Sequence, residues 1–574
     1  MTRRRRGAAL GLALILSCAL LGTLLGAPRA ADAQVPAGRI RLIPDNDTAS
    51  FRVRATYPPK PEECPVNQPR PLEAAYPGML EIGRRADGKL FLVTELTFPR
   101  YLKGIAEVPL NWPMESLKTQ VVAARTYAMA HLNPSTAEAK ELGYDLCSTD
   151  ACQVYRGLQV ERGAWGDEWA KAVDATTGEI LEHNGKPATT FYFSTSNGKT
   201  YTNTEVFGGT ALPYLKPVTE NDDKGSPTSS WSVRMPLTDL AAALRLAGTW
   251  SGGAIESVRL EDGKVTYSGG GKSETRDVDA FRRQLNKHAL CLEPKRYPTP
   301  ATSGKGNLPQ VVPSKWMTIR QEGDAIVMEG RGWGHGVGMV QWGAKGKADR
   351  GMTYDEILAT YYGGLRPTKT TEPGRIRVLL AKDIQELTIE PTGAVHAEGT
   401  TLRGGPLVIR GGPTMSVSPA SPIAPVLTVG AVESNGEAAP GSPATFMFEL
   451  SASANVALRW QAPDGTQAES PPEPRERGPQ TLTWDAVAAG LPPGTHEAVI
   501  VADNGVDQVF SAAQEVTIPS PTPSPEPSPA AEAAGEGTSG SPGWLPVVAG
   551  GAGIVVVAVV ALVLVRRRPG RHGA

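Results

Sequence analysis

The spacing of apolar residues along this chain changes from one segment to the next. In the stretch YLKGIAEVPLNWPMESLKTQVVAARTYAMAH, Leu117, Val121, Ala124 and Tyr127 recur at helical spacing. Pro113 stands where the first turn of a helix tolerates a missing N–H group. The pattern therefore predicts a helix of about five turns that buries one face.

Helical and strand-like patterns alternate over residues 89–365. LFLVTELTF has the composition of a strand, whereas Trp165–Thr177 and Phe281–Leu290 have helical periodicity. The dipeptides Asn184-Gly185 and Asn197-Gly198 are typical of β-hairpins. Because helices are mixed with mostly antiparallel strands, the region is predicted to have an α+β fold.

Strand patterns dominate further along the chain. Arg375–Arg410 has the pattern of several short alternating strands. The strand-like segments of Ala424–Ile518 are separated by Gly and Pro turns at intervals typical of a β-sandwich, which predicts an immunoglobulin-like spacer without catalytic residues. Residues 34–88 show no regular pattern and are predicted to be loop-rich.

The N-terminus has the organisation of a secretory signal peptide. Arg3–Arg6 precede an apolar stretch that runs to about Ala27, and Ala31-Asp32-Ala33 offers a small-residue cleavage site. Two alternatives stay open. Cys18 lies in a loose match to a lipoprotein cleavage site, and the apolar stretch is long enough to remain as an uncleaved anchor.

The C-terminus has the pattern of a membrane anchor. Trp544–Val565 is an uncharged span of about bilayer length, and Arg566-Arg567-Arg568 follow it at once. The positive flank predicts one transmembrane helix, with an extracytoplasmic ectodomain before it and a cytoplasmic tail after it. Residues 519–543 are rich in Pro, Ser, Ala and Gly and are predicted to form an extended linker.

Net charge limits the class of binding partner, and cysteine content limits the number of disulfides. The formal net charge of −1 gives no reason to expect a nucleic acid as partner. Of the five cysteines, Cys18 lies in the predicted signal peptide. The other four, Cys64, Cys147, Cys152 and Cys291, are an even number in an oxidising compartment, which predicts two disulfides whose pairing the sequence does not reveal.

Glu107 is a candidate proton donor because its neighbours in IAEVP are small or apolar. Desolvation disfavours an ionised carboxylate, so its pKa is expected to be raised towards neutrality. The alternative interpretation is structural: Glu107 caps the following helix or pairs with Lys103 or Arg125.

A second candidate segment, GRGWGHGVGMVQWGAKG, has glycine at every second position from Gly330 to Gly338. This spacing lets the backbone adopt unusual angles or lets a ligand approach closely. The pattern lacks the context of a phosphate-binding loop. It presents Trp333, His335 and the pair Gln341-Trp342, a set that suits carbohydrate, although a tight loop with His335 bonded to backbone groups is an equal alternative.

Together, YLKGIAEVPLNWPMESLKTQVVAARTYA and GRGWGHGVGMVQWGAKGKADRGMTYDEILATYYGG closely resemble the stage II sporulation protein D (SpoIID) family, also called the amidase-enhancer family. YDLCSTDACQVYRG, FYFSTSNGKTYTNTEVFGG and VDAFRRQL lie between them in the family's order. The resemblance covers roughly residues 89–365. The family pattern differs in having Met at position 108 and a Gly-Gly pair where this chain has Asn197-Gly198, where Asn is expected to tolerate a left-handed backbone.

The resemblance implies a lytic transglycosylase, a lyase that cleaves peptidoglycan glycan between N-acetylmuramic acid and N-acetylglucosamine after an amidase has removed the stem peptides. It implies Glu107 as the catalytic acid and then base, with an anhydro-muramic product. Side chains that would orient the sugar are Gln120, Arg125, Tyr127, Ser194, His335 and Gln341. Two other functions compete with this one: a non-catalytic wall-binding protein that activates an N-acetylmuramoyl-L-alanine amidase, and a structural adhesin.

Cys147 and Cys152 have two interpretations. Some members of the family bind zinc near this position, so the two thiols could act as zinc ligands together with His131. Outside the cell a disulfide between them is favoured, and Cys64 and Cys291 would then form the second bridge. No cofactor is expected under the favoured interpretation.

The predicted organisation places a membrane-anchored enzyme on the cell-wall side of the membrane. The predicted segments are a signal peptide (1–33), a loop-rich segment (34–88), a SpoIID-like peptidoglycan-cleaving domain (89–370), a short β-rich segment (375–412), an immunoglobulin-like β-sandwich (423–518), a linker (519–543), a transmembrane helix (544–565) and a basic tail (566–574).

Overall fold

A computed structural model describes residues 33–35, 38–46, 49–60, 64, 68–132, 136–292, 296–302, 304, 306–397, 400–402, 406–462 and 467–520. The first elements are β1 (Ala33–Val35), β2 (Arg39–Pro44), β3 (Ser50–Thr56), β4 (Leu72–Pro77), β5 (Met79–Arg84), β6 (Leu90–Thr97) and α1 (Phe98–Lys103). The elements that follow up to residue 206 are α2 (Met114–Ala130), α3 (Ala137–Leu142), β7 (Leu146–Cys147), α4 (Leu158–Glu161), α5 (Gly166–Ala175), β8 (Glu179–His183), β9 (Lys186–Pro187), β10 (Tyr192–Phe193) and α6 (Asn203–Val206).

The middle of the chain contains β11 (Trp231–Pro236), α7 (Leu237–Leu246), β12 (Ser257–Glu261), β13 (Lys264–Gly269), β14 (Lys272–Asp277), α8 (Val278–Leu292), β15 (Met317–Glu322) and β16 (Ala325–Gly330). After it come β17 (Met339–Val340), α9 (Gln341–Asp349), α10 (Tyr354–Tyr361), β18 (Pro367–Lys369), β19 (Arg375–Ile384), β20 (Glu386–Pro391), β21 (Val395–Ala397), β22 (Thr400–Leu402), β23 (Leu407–Arg410) and β24 (Met415–Pro419). The last strands are β25 (Glu433–Ser434), β26 (Ala444–Leu450), β27 (Ala454–Gln461), β28 (Gln467–Glu469), β29 (Glu473–Arg475), β30 (Gly478–Trp484), β31 (Gly494–Asp503), β32 (Gln508–Phe510) and β33 (Gln514–Ile518).

Two large sheets form the main body, and both combine strands from distant parts of the chain. The seven-stranded sheet has the order β22-β21-β2-β5-β6-β19-β7, and the six-stranded sheet has the order β1-β24-β23-β20-β3-β4. Thr97 of β6 lies opposite Arg375 of β19 in antiparallel pairing. Residues 34–88, expected to be loop-rich, contain β2 to β5 and most of β1, and buried side chains alternate with partly buried or exposed ones in β2 and β3.

Helix α2 lies between two clusters of buried side chains. Leu117, Val121 and Ala124 pack into the core of the two large sheets. Val122 and Ala123, on the other side of the helix, pack with the segments around β10 and β17. The sequence predicted the first of these faces, but the helix is buried on both.

Residues 231–330 surround a core of their own. Two three-stranded sheets, β11-β16-β15 and β12-β13-β14, pack with α7 and α8 around Trp231, Leu240, Tyr267 and Phe281. The predicted helix at 281–290 is part of α8, and β12 and β13 form an antiparallel hairpin.

The last strands form two further sheets, β25-β26-β30 and β28-β27-β31-β32, and in the second sheet β29 pairs with β27 and β33 with β31. Their shared core includes Phe446, Leu458 and Ile500. This part, called here the C-terminal sandwich (residues 427–518), contacts the main body through an ion pair of 2.8 Å between Arg52 and Asp507.

The predicted fold class is wrong. The described residues form 33 strands and ten helices, so the protein is mostly β rather than α+β. The difference arises because residues 34–88, expected to be loop-rich, supply strands that pair with distant ones, such as β3 with β20, and pairing over such a distance leaves no local pattern. The predicted C-terminal transmembrane helix is not supported: in the described part of the chain no helix has the length and apolar character to span a membrane, and Trp544–Val565 lies outside that part. Residues 1–32 and 521–574, which carry most of the predicted signal peptide, nearly all of the linker and the tail, also lie outside it.

Candidate functional site

Glu107 lies in the turn between α1 and α2, where the chain runs beside residues 153–155. The backbone N–H of Ala106 donates to the carbonyl of Val154 at 2.9 Å, and Ile105 forms a bridge with Tyr155. The Glu107 Oε1 atom accepts one hydrogen bond from the N–H of Val154 at 2.7 Å. It accepts a second from the hydroxyl of Tyr192 at 3.2 Å, so the carboxyl group is held by two separate segments.

The pKa of Glu107 is raised, chiefly because burial disfavours the charged carboxylate. The hydrogen bonds from Val154 and Tyr192 act in the opposite direction because they stabilise the ionised form. The direction agrees with the expectation from the apolar IAEVP segment. Among the described residues Glu107 forms no ion pair: Lys103 pairs with Asp174 at 3.0 Å and Arg125 with Glu372 at 2.7 Å.

The hydroxyl of Tyr192 is oriented by a buried amide. Gln153 Oε1 accepts from the hydroxyl of Tyr101 at 2.8 Å, and its Nε2 donates to the carbonyl of Ala124 and to the Tyr192 oxygen, each at 3.1 Å. Because the Tyr192 oxygen accepts from Gln153, its proton is directed towards Glu107. The network therefore fixes the donor that faces the carboxyl group.

A second polar pair lies on the other side of the Glu107 turn. Gln341, the first residue of α9, donates through Nε2 to the backbone carbonyl of Glu107 at 3.2 Å and to Gln120 Oε1 at 3.3 Å. The Nε2 atom of Gln120 is buried and has no acceptor among the described residues. A buried amide donor without a partner costs stability, so it is a candidate contact for a ligand.

The alternating glycines let two protein segments approach each other. A Cβ atom at Gly338 would lie 2.1 Å from the carbonyl oxygen of Phe191, and one at Gly332 would lie 2.7 Å from that of Thr195. Tyr192 of β10 pairs in parallel with Met339 of β17. The glycine spacing therefore serves close packing against the strand that carries Tyr192.

His335 supports this same strand. Its Nδ1 atom accepts from the N–H of Val337 at 3.1 Å, and its ring lies among the rings of Phe191, Phe193 and Phe207. Burial lowers the pKa of His335 to about 4, against a smaller opposing effect of its hydrogen bond to the backbone of Tyr192. His335 is therefore neutral near pH 7 and bonded to backbone groups, which is the alternative interpretation of this residue.

The remaining predicted residues divide into two groups. Tyr127 lies near Glu107, whose charge together with burial raises the pKa of the tyrosine, and its ring stacks on His131 at 4.0 Å. Ser194 lies beside α9, where its carbonyl accepts from the N–H of Trp342 at 3.1 Å. Both positions border the Glu107 turn and its neighbours.

Arg125 does not belong to the site. Its side chain is fully buried, donates to Thr176 and to the carbonyl of Val173, each at 3.1 Å, and pairs with Glu372. The predicted substrate-binding role stays a prediction, and in this structure the side chain instead holds α2 to the end of α5. Helical spacing in the sequence could not show these contacts, because it does not reveal which residues a buried arginine side chain bonds to.

The loop at Asn197 also differs from the expectation. The left-handed backbone falls on Gly198, with a φ of 109°, and not on Asn197. The preceding residue, Ser196, donates through its N–H and its hydroxyl to Asp223 at 2.8 and 2.7 Å. Asp223 therefore anchors the loop that continues from the Tyr192 strand.

Both predicted disulfides are present: Cys147 bonds to Cys152 and Cys64 bonds to Cys291. The thiolates proposed as zinc ligands are consequently not available, and His131 is bonded through Nδ1 to the carbonyl of Tyr127. These residues do not fit a zinc ion.

Sequence reasoning missed the residues that hold the carboxyl group: Tyr192, Gln153 and Val154. Each lies within a segment quoted for the family resemblance, but neither periodicity nor composition distinguished it from its neighbours. Gln153 follows Cys152 directly, and a glutamine beside a short disulfide loop was the one local signal that could have been used.

Known proteins resemble about half of this chain. The family model described as stage II sporulation protein (SpoIID) matches residues 86–183. An uncharacterised protein of Brachyspira hyodysenteriae is 33% identical over 283 residues, which cover 48% of this chain and 68% of that protein. Stage II sporulation protein D of Bacillus amyloliquefaciens is 30% identical over 288 residues, 48% of this chain and 74% of that protein. A Bacillus subtilis protein named amidase enhancer is 29% identical over 297 residues, 46% of this chain and 39% of that protein.

Proposed function

We propose that this chain, which belongs to the stage II sporulation protein D family, is a lytic transglycosylase of peptidoglycan. The family and the amidase-enhancer relative support a function related to the cell wall. The substrate is the glycan strand after removal of its stem peptides, and the scissile bond links N-acetylmuramic acid to N-acetylglucosamine.

The observation that carries the proposal is a single carboxyl group with a raised pKa, held by Val154 and Tyr192, beside the Gln120 Nε2 donor, which has no acceptor among the described residues. A protonated Glu107 donates its proton to the glycosidic oxygen as the C1–O bond breaks. The resulting carboxylate then accepts the proton of the muramic acid 6-hydroxyl, whose oxygen bonds to C1 and closes the anhydro ring. One residue therefore serves as acid and base in turn, and no second carboxylate is required.

The test compares Glu107→Gln with the unaltered chain on amidase-treated peptidoglycan. Glutamine keeps the shape and the acceptor oxygen but cannot transfer a proton, so release of anhydro-muramic products should fall by about 10²- to 10⁴-fold. Mass spectrometry of the products measures the loss. Glu138→Gln is the matched control, because Glu138 pairs with Lys382 on the surface and should retain full release.

Unchanged product release from the Glu107→Gln protein would reject the assignment. The second candidate function is activation of an N-acetylmuramoyl-L-alanine amidase without cleavage, which the name of the Bacillus subtilis relative favours. Under that function the unaltered chain releases no anhydro product, and it stimulates a purified amidase equally well with Gln at position 107.

A further inference from the structure

A cavity of about 370 Å³ lies where the C-terminal sandwich meets the main body. Its walls include Leu110 and Asn111 from the Glu107 turn, Trp165 from the loop before α5, and Ser453 and Glu476 from the sandwich. The volume falls within the roughly 300–1,000 Å³ of sites that bind small molecules in proteins. Two parts of the protein that are far apart in sequence therefore enclose one ligand-sized space.

Trp165 is unusual in both backbone and exposure. Its φ of 63° and ψ of 12° are left-handed, a conformation that a bulky side chain rarely adopts. The residue is 38% exposed, although tryptophan usually buries its ring. Its indole N–H has no acceptor in the part of the chain that the structure describes. Such strain persists where surrounding structure enforces it, and it often marks a functional position.

The loop around Trp165 is tightly constrained. A Cβ atom at Gly166 would lie 2.2 Å from the carbonyl oxygen of Val160, so only glycine fits beside the tryptophan. The opposite wall is also fixed. Asn455 of the sandwich donates to the carbonyl of Arg162 at 3.0 Å. A Cβ atom at Gly505, also in the sandwich, would lie 1.8 Å from the carbonyl oxygen of Leu158. The cavity is thus preformed by packed segments.

The polar groups of the cavity suit a neutral sugar. Ser453 donates to Glu476 Oε2 at 2.7 Å, which leaves the other carboxylate oxygen without a partner among the described residues. That oxygen and the Asn111 amide can bond to sugar hydroxyl and acetamido groups, while an indole face packs against the C–H groups of a pyranose ring. The Glu476 charge would repel the lactyl carboxylate of muramic acid, so the ring that fits is N-acetylglucosamine.

The cavity is also close to the proposed catalytic acid. Asn111 lies four positions after Glu107, so their Cα atoms lie no more than about 14 Å apart. We propose that this cavity is a glycan subsite in which Trp165 holds an N-acetylglucosamine ring of the strand beside the cleavage site. The inference rests on the proposed function, because it takes the same glycan as ligand, but it assigns the C-terminal sandwich a part in binding.

The test measures binding of the β-1,4-linked tetramer of N-acetylglucosamine to the full chain by isothermal titration calorimetry. This probe lacks muramic acid, so no anhydro-muramic product can form, and mass spectrometry of the tetramer after the titration checks that binding is read without cleavage. Trp165→Gly should weaken binding by about tenfold, the scale of one lost stacking contact. Glycine favours the left-handed backbone at this position, so the variant should fold, and its thermal unfolding gives the check. Trp165→Phe should restore most of the affinity.

Phe510→Ala is the control, since Phe510 is an exposed aromatic residue of the same sandwich that does not line the cavity. Two results would overturn the subsite: no binding of the tetramer by the unaltered chain, or equal binding by Trp165→Gly. Failure of the proposed function is seen separately, as absence of anhydro products from peptidoglycan in the presence of normal tetramer binding.

Discussion

The chemistry available to Glu107 depends on a balance between burial and two hydrogen bonds. Burial raises the pKa of the carboxyl group, and the donors from Val154 and Tyr192 lower it. A group that must give up a proton and then take one back works best when neither form is strongly favoured. Under the proposed function, Tyr192 would therefore set the pH range of cleavage in addition to positioning the acid.

The pH dependence of cleavage should report this balance. Cleavage needs the protonated acid, so kcat/KM should fall as pH rises through the raised pKa of Glu107. Tyr192→Phe removes a donor to the ionised form, which raises the pKa further, so the fall should move to higher pH. Tyr127→Phe is the matched control, because the structure gives no hydrogen bond between the described side chains of Tyr127 and Glu107. The pH at which kcat/KM of this variant falls should be unchanged. A shift of the Tyr192→Phe profile to lower pH would contradict this account.

Helix α9 carries Gln341 to the site, and a buried ion pair fixes this helix. Lys347 Nζ contacts both carboxylate oxygens of Glu220 at 3.0 Å and Asp222 at 2.8 Å. A Cβ at Gly343 would lie 2.5 Å from the Glu220 carboxylate, which shows how closely the helix approaches it. The pairing compensates for the desolvation of charges that are almost completely removed from water.

Removing one partner of this pair should destabilise the protein strongly. Lys347→Met leaves the Glu220 carboxylate buried without a cation, which should lower the free energy of unfolding by about 3–5 kcal/mol. Lys345→Met, two residues away, breaks only an exposed ion pair with Asp349. It should change the free energy of unfolding by less than about 0.5 kcal/mol. Urea denaturation of both variants measures the difference. Equal effects of the two substitutions would show that the buried ion pair contributes no more to stability than the exposed one.

The two disulfides act over very different lengths of chain. Cys147 and Cys152 close a loop with a sequence separation of 5, whereas Cys64 and Cys291 are separated by 227 residues and join the segment before β4 to α8. The short bridge precedes Val154 by two residues and so lies next to a donor to Glu107. The long bridge connects the main body to the core formed by residues 231–330.

These sequence separations predict different losses of folding stability when each disulfide is removed. In the loop-entropy account, replacing Cys64 and Cys291 by Ser should lower the free energy of unfolding by about 5 kcal/mol, and replacing Cys147 and Cys152 by about 2 kcal/mol. The short bridge should in turn have the larger effect on cleavage measured well below the unfolding temperature, since it positions the Val154 segment. Thermal unfolding and product release of the two double variants test both statements, and the reverse order of stabilities would contradict the first.

Local pattern was sufficient for elements whose neighbours in sequence are also their neighbours in space. Helix α2, the hairpin at Asn184-Gly185 and the apolar surroundings of Glu107 follow from short-range spacing and turn chemistry. The resemblance in two long motifs identified the family before any contact was known. For these features the information lies within a few consecutive residues.

The amino-acid sequence by itself determined that Glu107 lies among apolar residues and where the central helix runs. Only the tertiary structure decided which groups bond to the Glu107 carboxyl group and that Arg125 is buried and paired with Glu372. It also decided that strands on either side of residue 89 pair with strands after residue 375. The physical reason is that hydrogen bonds and burial depend on distance in space. Glu107 and Tyr192 are 85 residues apart along the chain, and no local period records their contact.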